Sequence, residues 1–293
     1  LASAAAAAGE AIAPAWYQYE NTHFTIYSDA PEEEVRTLIE DLENFRAAVY
    51  QFGDDRVPEG SGKTRVIIFR SEDEFARTVK NDRVRAYTVG IGELPHIVMP
   101  SGSASPWSQV TLRHEYVHVL QGYRGDHLPA WYFEGLAEFL SGVRFRHENT
   151  EFVVGKPTGR TKRRSLFVEW SELLADDFSF EQLESVEQAS SAYFQAGLLV
   201  AYLHVGLESA TDDRLDAYLT RVAEGENSKN AFEAVFAESA DSMGARVYRR
   251  RNRLIKARAF PFRPGESDQH FVRSAVAAES IRNLLRDLMP EHR

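Results

Sequence analysis

Residues 106–140 read PWSQVTLRHEYVHVLQGYRGDHLPAWYFEGLAEFL. Pro106 suits the first position of a helix, and Ser105 before it is a favoured N-cap. Trp107, Val110, Val117 and Gln121 share one side with His114 and His118, which predicts a helix over about 106–121. Residues four apart on a helix have Cβ atoms ~5–6 Å apart. The two imidazoles can therefore reach one metal ion with bonds of ~2.0–2.1 Å. Glu115 projects beside them, where a carboxylate can take a proton from a metal-bound water. Gly122 and Gly125 end this helix, and Asp126-His127-Leu128-Pro129 leads into a second, Ala130–Leu140. Glu134 and Glu138 stand one turn apart on the same face of that otherwise apolar helix. Two carboxylates there are costly to bury unless they are paired or coordinate a cation. A catalytic zinc needs a third protein ligand and one open position, and the second helix supplies the ligand. With 9 His and 29 Glu in the chain, H-E-x-x-H arises by chance about 0.03 times. The second helix, more than the motif alone, carries the reading.

Upstream the pattern is mixed. His23–Tyr27 alternates as a strand does, and Pro31 opens a helix with Val35, Leu38, Ile39, Leu42 and Phe45 at helical spacing. Thr64–Arg70 reads as a buried strand, 72–79 as a short helix, and Val84–Val89 and His96–Met99 as further strands. Downstream, helical periodicity runs to about residue 255, broken by a hairpin at Val143–Val154 and a basic turn at 159–164. A Phe/Pro-rich stretch and an amphipathic helix from about Val272 to Leu288 close the chain. These readings predict an α+β fold. They divide it into an Ala-rich flexible terminus (1–15), an α/β half ending in the H-E-x-x-H helix (16–123), a mainly helical half (124–258) and a C-terminal extension (259–293).

The 293 residues are 43% hydrophobic and 27% charged, which excludes global disorder. No apolar run approaches the ~20 residues of a membrane-spanning helix. A net charge of −10 argues against nucleic acid as partner. The absence of cysteine leaves His, Asp and Glu as the only metal ligands. Ala2-Ser3-Ala4 has the small-x-small form of a cleavage site. The terminus is therefore either a trimmed signal peptide, which implies a periplasmic or secreted location, or a plain flexible end. Gly60-Ser61-Gly62-Lys63-Thr64 is not a P-loop, because Val57 stands where its first glycine belongs and a strand follows it.

His114–His118 followed by Glu134-Gly-Leu-Ala-Glu138 resembles the gluzincin metallopeptidases, closest to bacterial peptidase-MA-like domains, over roughly residues 16–255. The resemblance implies a zincin-like fold and one Zn²⁺ held by His114, His118 and Glu134. It makes Glu115 the general base of peptide hydrolysis and Glu138 a carboxylate that orients a ligand histidine. Fifteen residues separate His118 from Glu134, a shorter link than better-known members use. Counting alone favours Glu138; the adjoining Gly-x-Ala step favours Glu134. Gluzincins often carry a later tyrosine whose hydroxyl stabilises the oxyanion, and Tyr193 in Ser191–Gly197 is the candidate, against a plain core aromatic. The His96–Met99 strand, with His96 and Val98, is read either as the cleft edge that pairs with an extended peptide or as a simple edge strand capped by Pro95 and Pro100. The expected partner is a peptide or protein substrate. The alternative is a zinc-retaining domain that binds peptides without cleaving them. The other histidines lack metal-like spacing, and His127 is assigned to a solvated loop.

Overall fold

The structure, a computed structural model, describes residues 15–52, 62–79, 86–90, 94–102, 106–122, 128–155, 164–206, 213–263 and 271–288. Its elements in chain order are β1 (Trp16–Glu20), β2 (Phe24–Ser28), α1 (Glu32–Phe52), β3 (Thr64–Phe69), α2 (Glu72–Val79), β4 (Tyr87–Val89), β5 (His96–Pro100), α3 (Pro106–Gly122) and α4 (Ala130–Leu140). There follow β6 (Arg144–Arg146), β7 (Glu151–Val154), α5 (Trp170–Leu173), α6 (Val186–Val205), α7 (Arg214–Ala223), α8 (Ser228–Phe236), α9 (Ala240–Leu254), β8 (Arg258–Pro261), β9 (Val272–Val276) and α10 (Ala278–Leu288). The fold is α+β.

The main sheet has six strands in the order β4-β5-β3-β2-β1-β9. β2–β3 and β3–β5 are parallel, and the remaining pairs are antiparallel. β3 lies in its middle and is apolar at successive positions because both faces are covered. Val66 and Ile68 point into the larger core with α1, α3 and the helical half. Ile67 and Phe69 point into a smaller core with Phe75 of α2 and Ile281 and Leu285 of α10. A second sheet, β6-β7-β8, stacks Phe152 on Phe260 at 5.1 Å.

Two expectations are corrected. Val272–Val276 is a strand, not the start of the last helix, which begins at Ala278. Its backbone pairs with β1 from Trp16↔Val276 to Glu20↔Val272. The sheet edge offers hydrogen-bond partners that the helical spacing of Val272, Ala275 and Val276 cannot match. The His96–Pro100 strand is not an edge either: β3 occupies one side of it and β4 the other, so its backbone is already paired. Val98 is fully buried in the smaller core. His96 is buried too, its Nδ1 2.7 Å from the Leu94 carbonyl, and burial lowers its pKa. Neither lines a cleft. Among the described residues the edges are β4 and β9.

The helical half packs around α6, which is buried on nearly every side. Ser185 caps its start by accepting a hydrogen bond from the Gln188 amide at 3.1 Å. α4 lies against α6 so closely that a Cβ at Gly135 would come within 2.7 Å of Val200 Cγ2 and 2.8 Å of the Ala196 carbonyl. Glycine at 135 is therefore a packing requirement, and it brings Glu134 to the face of α6 that carries Tyr193.

Candidate metal centre

α3 and α4 have the predicted extents within a residue. Ser105 and His127, assigned above to a cap and a loop, lie outside the described residues. The spacing of α3 and α4 is set behind the histidines by Arg113. Its Nε donates to Asp41 Oδ2 of α1 at 2.8 Å, its Nη2 to Asp41 Oδ1, and its Nη1 to the carbonyl of Val143, just past α4, at 2.6 Å. This buried cation thus ties the first metal-motif helix to α1 and to the chain leaving the second.

On the other side of α3 three side chains converge. His114 Nε2 lies 3.2 Å from His118 Nε2, and Glu134 Oε2 lies 3.3 Å from each of them. A tetrahedral ion with bonds of ~2.0–2.1 Å requires its ligand atoms about 3.3 Å apart. All three edges of the triangle meet that requirement. Glu134 Oε2 is buried 3.3 Å from both imidazoles, and among the described residues no other donor reaches it. A cation at the centre of the triangle would satisfy it. Among the described residues these three are the one group of His, Asp or Glu that converges in this way. Of the two candidate third ligands, Glu134 occupies the triangle, and Glu138 Oε1 stands 3.6 Å from His114 Nδ1, on the far side of that ring.

The protein also fixes the tautomer of His118. Gln121 Nε2 donates to the Phe133 carbonyl at 2.8 Å, which turns Gln121 Oε1 towards His118 Nδ1 at 3.0 Å. Nδ1 must then donate, leaving the Nε2 lone pair facing the triangle. Phe133 also stacks on the His118 ring at 4.5 Å and 12°. Periodicity puts Gln121 on the histidine side of the helix but does not single it out as a residue that orients His118. Its i+3 position from His118 is the one local signal.

The electrostatics suit a cation. Burial alone would lower the His114 imidazole, but the adjoining Glu134 and the charges of Glu138 and Glu115 prevail and hold it at about 9. Burial likewise opposes ionisation of Glu134, and the two imidazoles overcome it, bringing the carboxyl to about 2. Tyr193, on α6, has its ring 6.2 Å from that of His114 and is stacked on Phe180 at 4.4 Å. Burial raises its hydroxyl pKa, reinforced by Glu134, Glu138, Glu115 and Glu181. It is a neutral donor at physiological pH.

Glu115 follows His114 on α3, and its charge acts on the His114 imidazole. Thr88 of β4 donates its hydroxyl to Glu115 Oε2 at 2.7 Å and approaches the Glu115 backbone carbonyl at 3.2 Å. No sequence motif marks Thr88; only the tertiary arrangement finds it. Of the other histidines, His23 pairs with Glu43 at 2.9 Å and His204 with the Tyr132 hydroxyl at 3.0 Å, both far from this chemistry in role. No helix among the described residues is long and apolar enough to cross a membrane.

No protein-family model matches the chain, and no curated protein matches it.

Proposed function

We propose that this chain is a zinc-dependent peptidase of the gluzincin kind, with a zincin-like arrangement of sheet, α3 and α4. The observation that carries the reading is the triangle of 3.2, 3.3 and 3.3 Å formed by two imidazole nitrogens and a buried carboxylate oxygen that no other donor among the described residues reaches. His114, His118 and Glu134 would hold the ion, and Gln121 and Glu138 would orient the two imidazoles. What zinc supplies at such a site is Lewis acidity towards a carbonyl oxygen and acidification of a water.

The protein residues then divide the remaining work. Glu115 accepts the proton of the attacking water and returns it to the leaving amine. Thr88 fixes one oxygen of that carboxylate, leaving the other for the water. Tyr193 donates its hydroxyl to the oxyanion. The free edge of β4 offers an extended peptide backbone hydrogen bonds beside Glu115. A zinc-retaining scaffold would have no use for a carboxylate anchored by Thr88 next to the ligands, which favours the enzyme over a binding module.

The test is elemental analysis of the purified chain followed by hydrolysis of quenched peptides with and without a chelator. Glu115→Gln should keep stoichiometric zinc and lose cleavage by at least about 100-fold. A chain that takes up no zinc on reconstitution, or a Glu115→Gln variant as active as the parent, refutes the reading.

A further inference from the structure

Beside Glu134 the surface opens into a cavity of about 620 Å³. Its walls are the stacking partners of two site residues: Phe133, which lies on His118, and Phe180, which lies on Tyr193. Phe178 meets Phe180 edge-on at 5.0 Å and extends the aromatic wall. Among the described residues the charged ones lining it are all acidic: Glu134, Asp176, Glu181 and Glu226.

These carboxylates are not equivalent. Glu134 faces the histidines. Asp176 Oδ1 accepts the Ser228 amide at 2.9 Å and its Oδ2 accepts from Asn227, so it is engaged at the start of α8. Glu226 pairs with Arg221 at 3.6 Å. Glu181 is exposed and forms no ion pair or side-chain hydrogen bond among the described residues. The acidity is also regional. Between Arg164 and Arg214 the chain carries ten carboxylates and no lysine or arginine. A one-signed cleft of this kind concentrates counter-charged ligands.

We infer that this cavity is a substrate subsite that takes a long basic side chain, with Glu181 as its specificity-determining residue. The methylenes of an arginine or lysine fill the aromatic trough, and the cationic head meets the Glu181 carboxylate and the half-buried Phe178 ring. Arginine is the better fit, because its planar guanidinium both stacks and forms a two-pronged bond to a carboxylate. The inference rests on the peptidase reading for its placement next to the scissile bond, and its test is separable from that reading.

The measurement uses the full chain as the zinc-loaded Glu115→Gln variant and labelled alanine peptides carrying one arginine, one norleucine or one glutamate. Alanine is small enough that each peptide settles with its distinctive side chain in the cavity. Arginine should bind about tenfold more tightly than norleucine, glutamate should bind weakest, and Glu181→Lys should abolish the advantage. Because Glu181 is exposed, that variant does not threaten folding. Equal affinities, no binding of any peptide, or an arginine preference that survives Glu181→Lys overturns the subsite. Cleavage of the same peptides by the zinc-loaded parent chain is followed in parallel. Cleavage without preference for arginine refutes the subsite and leaves the peptidase standing. Arginine-selective binding without any cleavage does the reverse.

Discussion

Replacing Gly135 by alanine tests how the third ligand is held. The added methyl would lie 2.7 Å from Val200 Cγ2 and 2.8 Å from both the carbonyl carbon and oxygen of Ala196. Ordinary carbon contacts are ~3.5–4.0 Å, so α4 and α6 must separate locally by close to 1 Å. Two of the three atoms are backbone in the middle of a buried helix, which cannot swing aside as a side chain would. Overpacking of this kind costs about 3 kcal/mol, and the better helix propensity of alanine returns about 1 kcal/mol. A net loss near 2 kcal/mol lowers the melting temperature by about 3 °C in a chain of this size. Glu134 immediately precedes the substituted position, so the shift is also felt in the triangle. Zinc affinity, read by competition with a chromophoric chelator, should fall about tenfold. A variant that melts at or above the parent temperature, with unchanged zinc affinity, would show that the α4–α6 contact is not close enough to position the ligand.

Gln121→Leu removes the acceptor for His118 Nδ1 while keeping the volume, and zinc affinity in the chelator competition should drop by about 10–100-fold; an unchanged affinity would remove Gln121 from the site. Thr88→Val deletes the donor to Glu115 without changing shape, so kcat on a quenched peptide should fall about tenfold with KM nearly constant, and Thr88→Ser should restore it. A Thr88→Val enzyme with parental kcat would mean that Glu115 needs no anchor. Zinc must displace the proton that His114 holds with a pKa of about 9. Apparent zinc affinity should therefore rise with pH up to that value, by up to about tenfold per pH unit, and level off above it. A flat profile between pH 6.5 and 9 would contradict the raised pKa.

The parts of this fold that a reader of the sequence can find are those where local pattern and tertiary environment agree. α4 starts where Pro129 says it should and runs the length of the apolar stretch, and β3 is apolar because it is central. The candidate His/His/Glu group is legible because H-E-x-x-H fixes the spacing of two histidines through helix geometry alone, and because a carboxylate on an apolar helix needs a reason. What failed depended on neighbours remote in sequence. Pro95 and Pro100 suggested that His96–Pro100 was an edge, yet the short strand β4 pairs with it at Val89↔His96, Thr88↔Ile97 and Tyr87↔Val98. Val272–Val276 fits helix and strand spacing equally, and the open side of β1 decides between them. Thr88 is an unremarkable threonine until the sheet edge meets α3. Gln121 is one of many helical glutamines until Phe133 fixes its amide.

The pairing of β1 with β9 joins residues 16–20 to residues 272–276. During synthesis on the ribosome the first strand therefore waits, one flank bare, until residues 272–276 have been made. Trp16, which packs edge-on against Phe69, stays under-covered for the same interval, because Ile281 and Leu285 arrive later still. The nascent chain can assemble α3 and α4 long before that seal is in place, so a polypeptide stopped short of residue 272 should collect metal and yet be prone to edge-to-edge association.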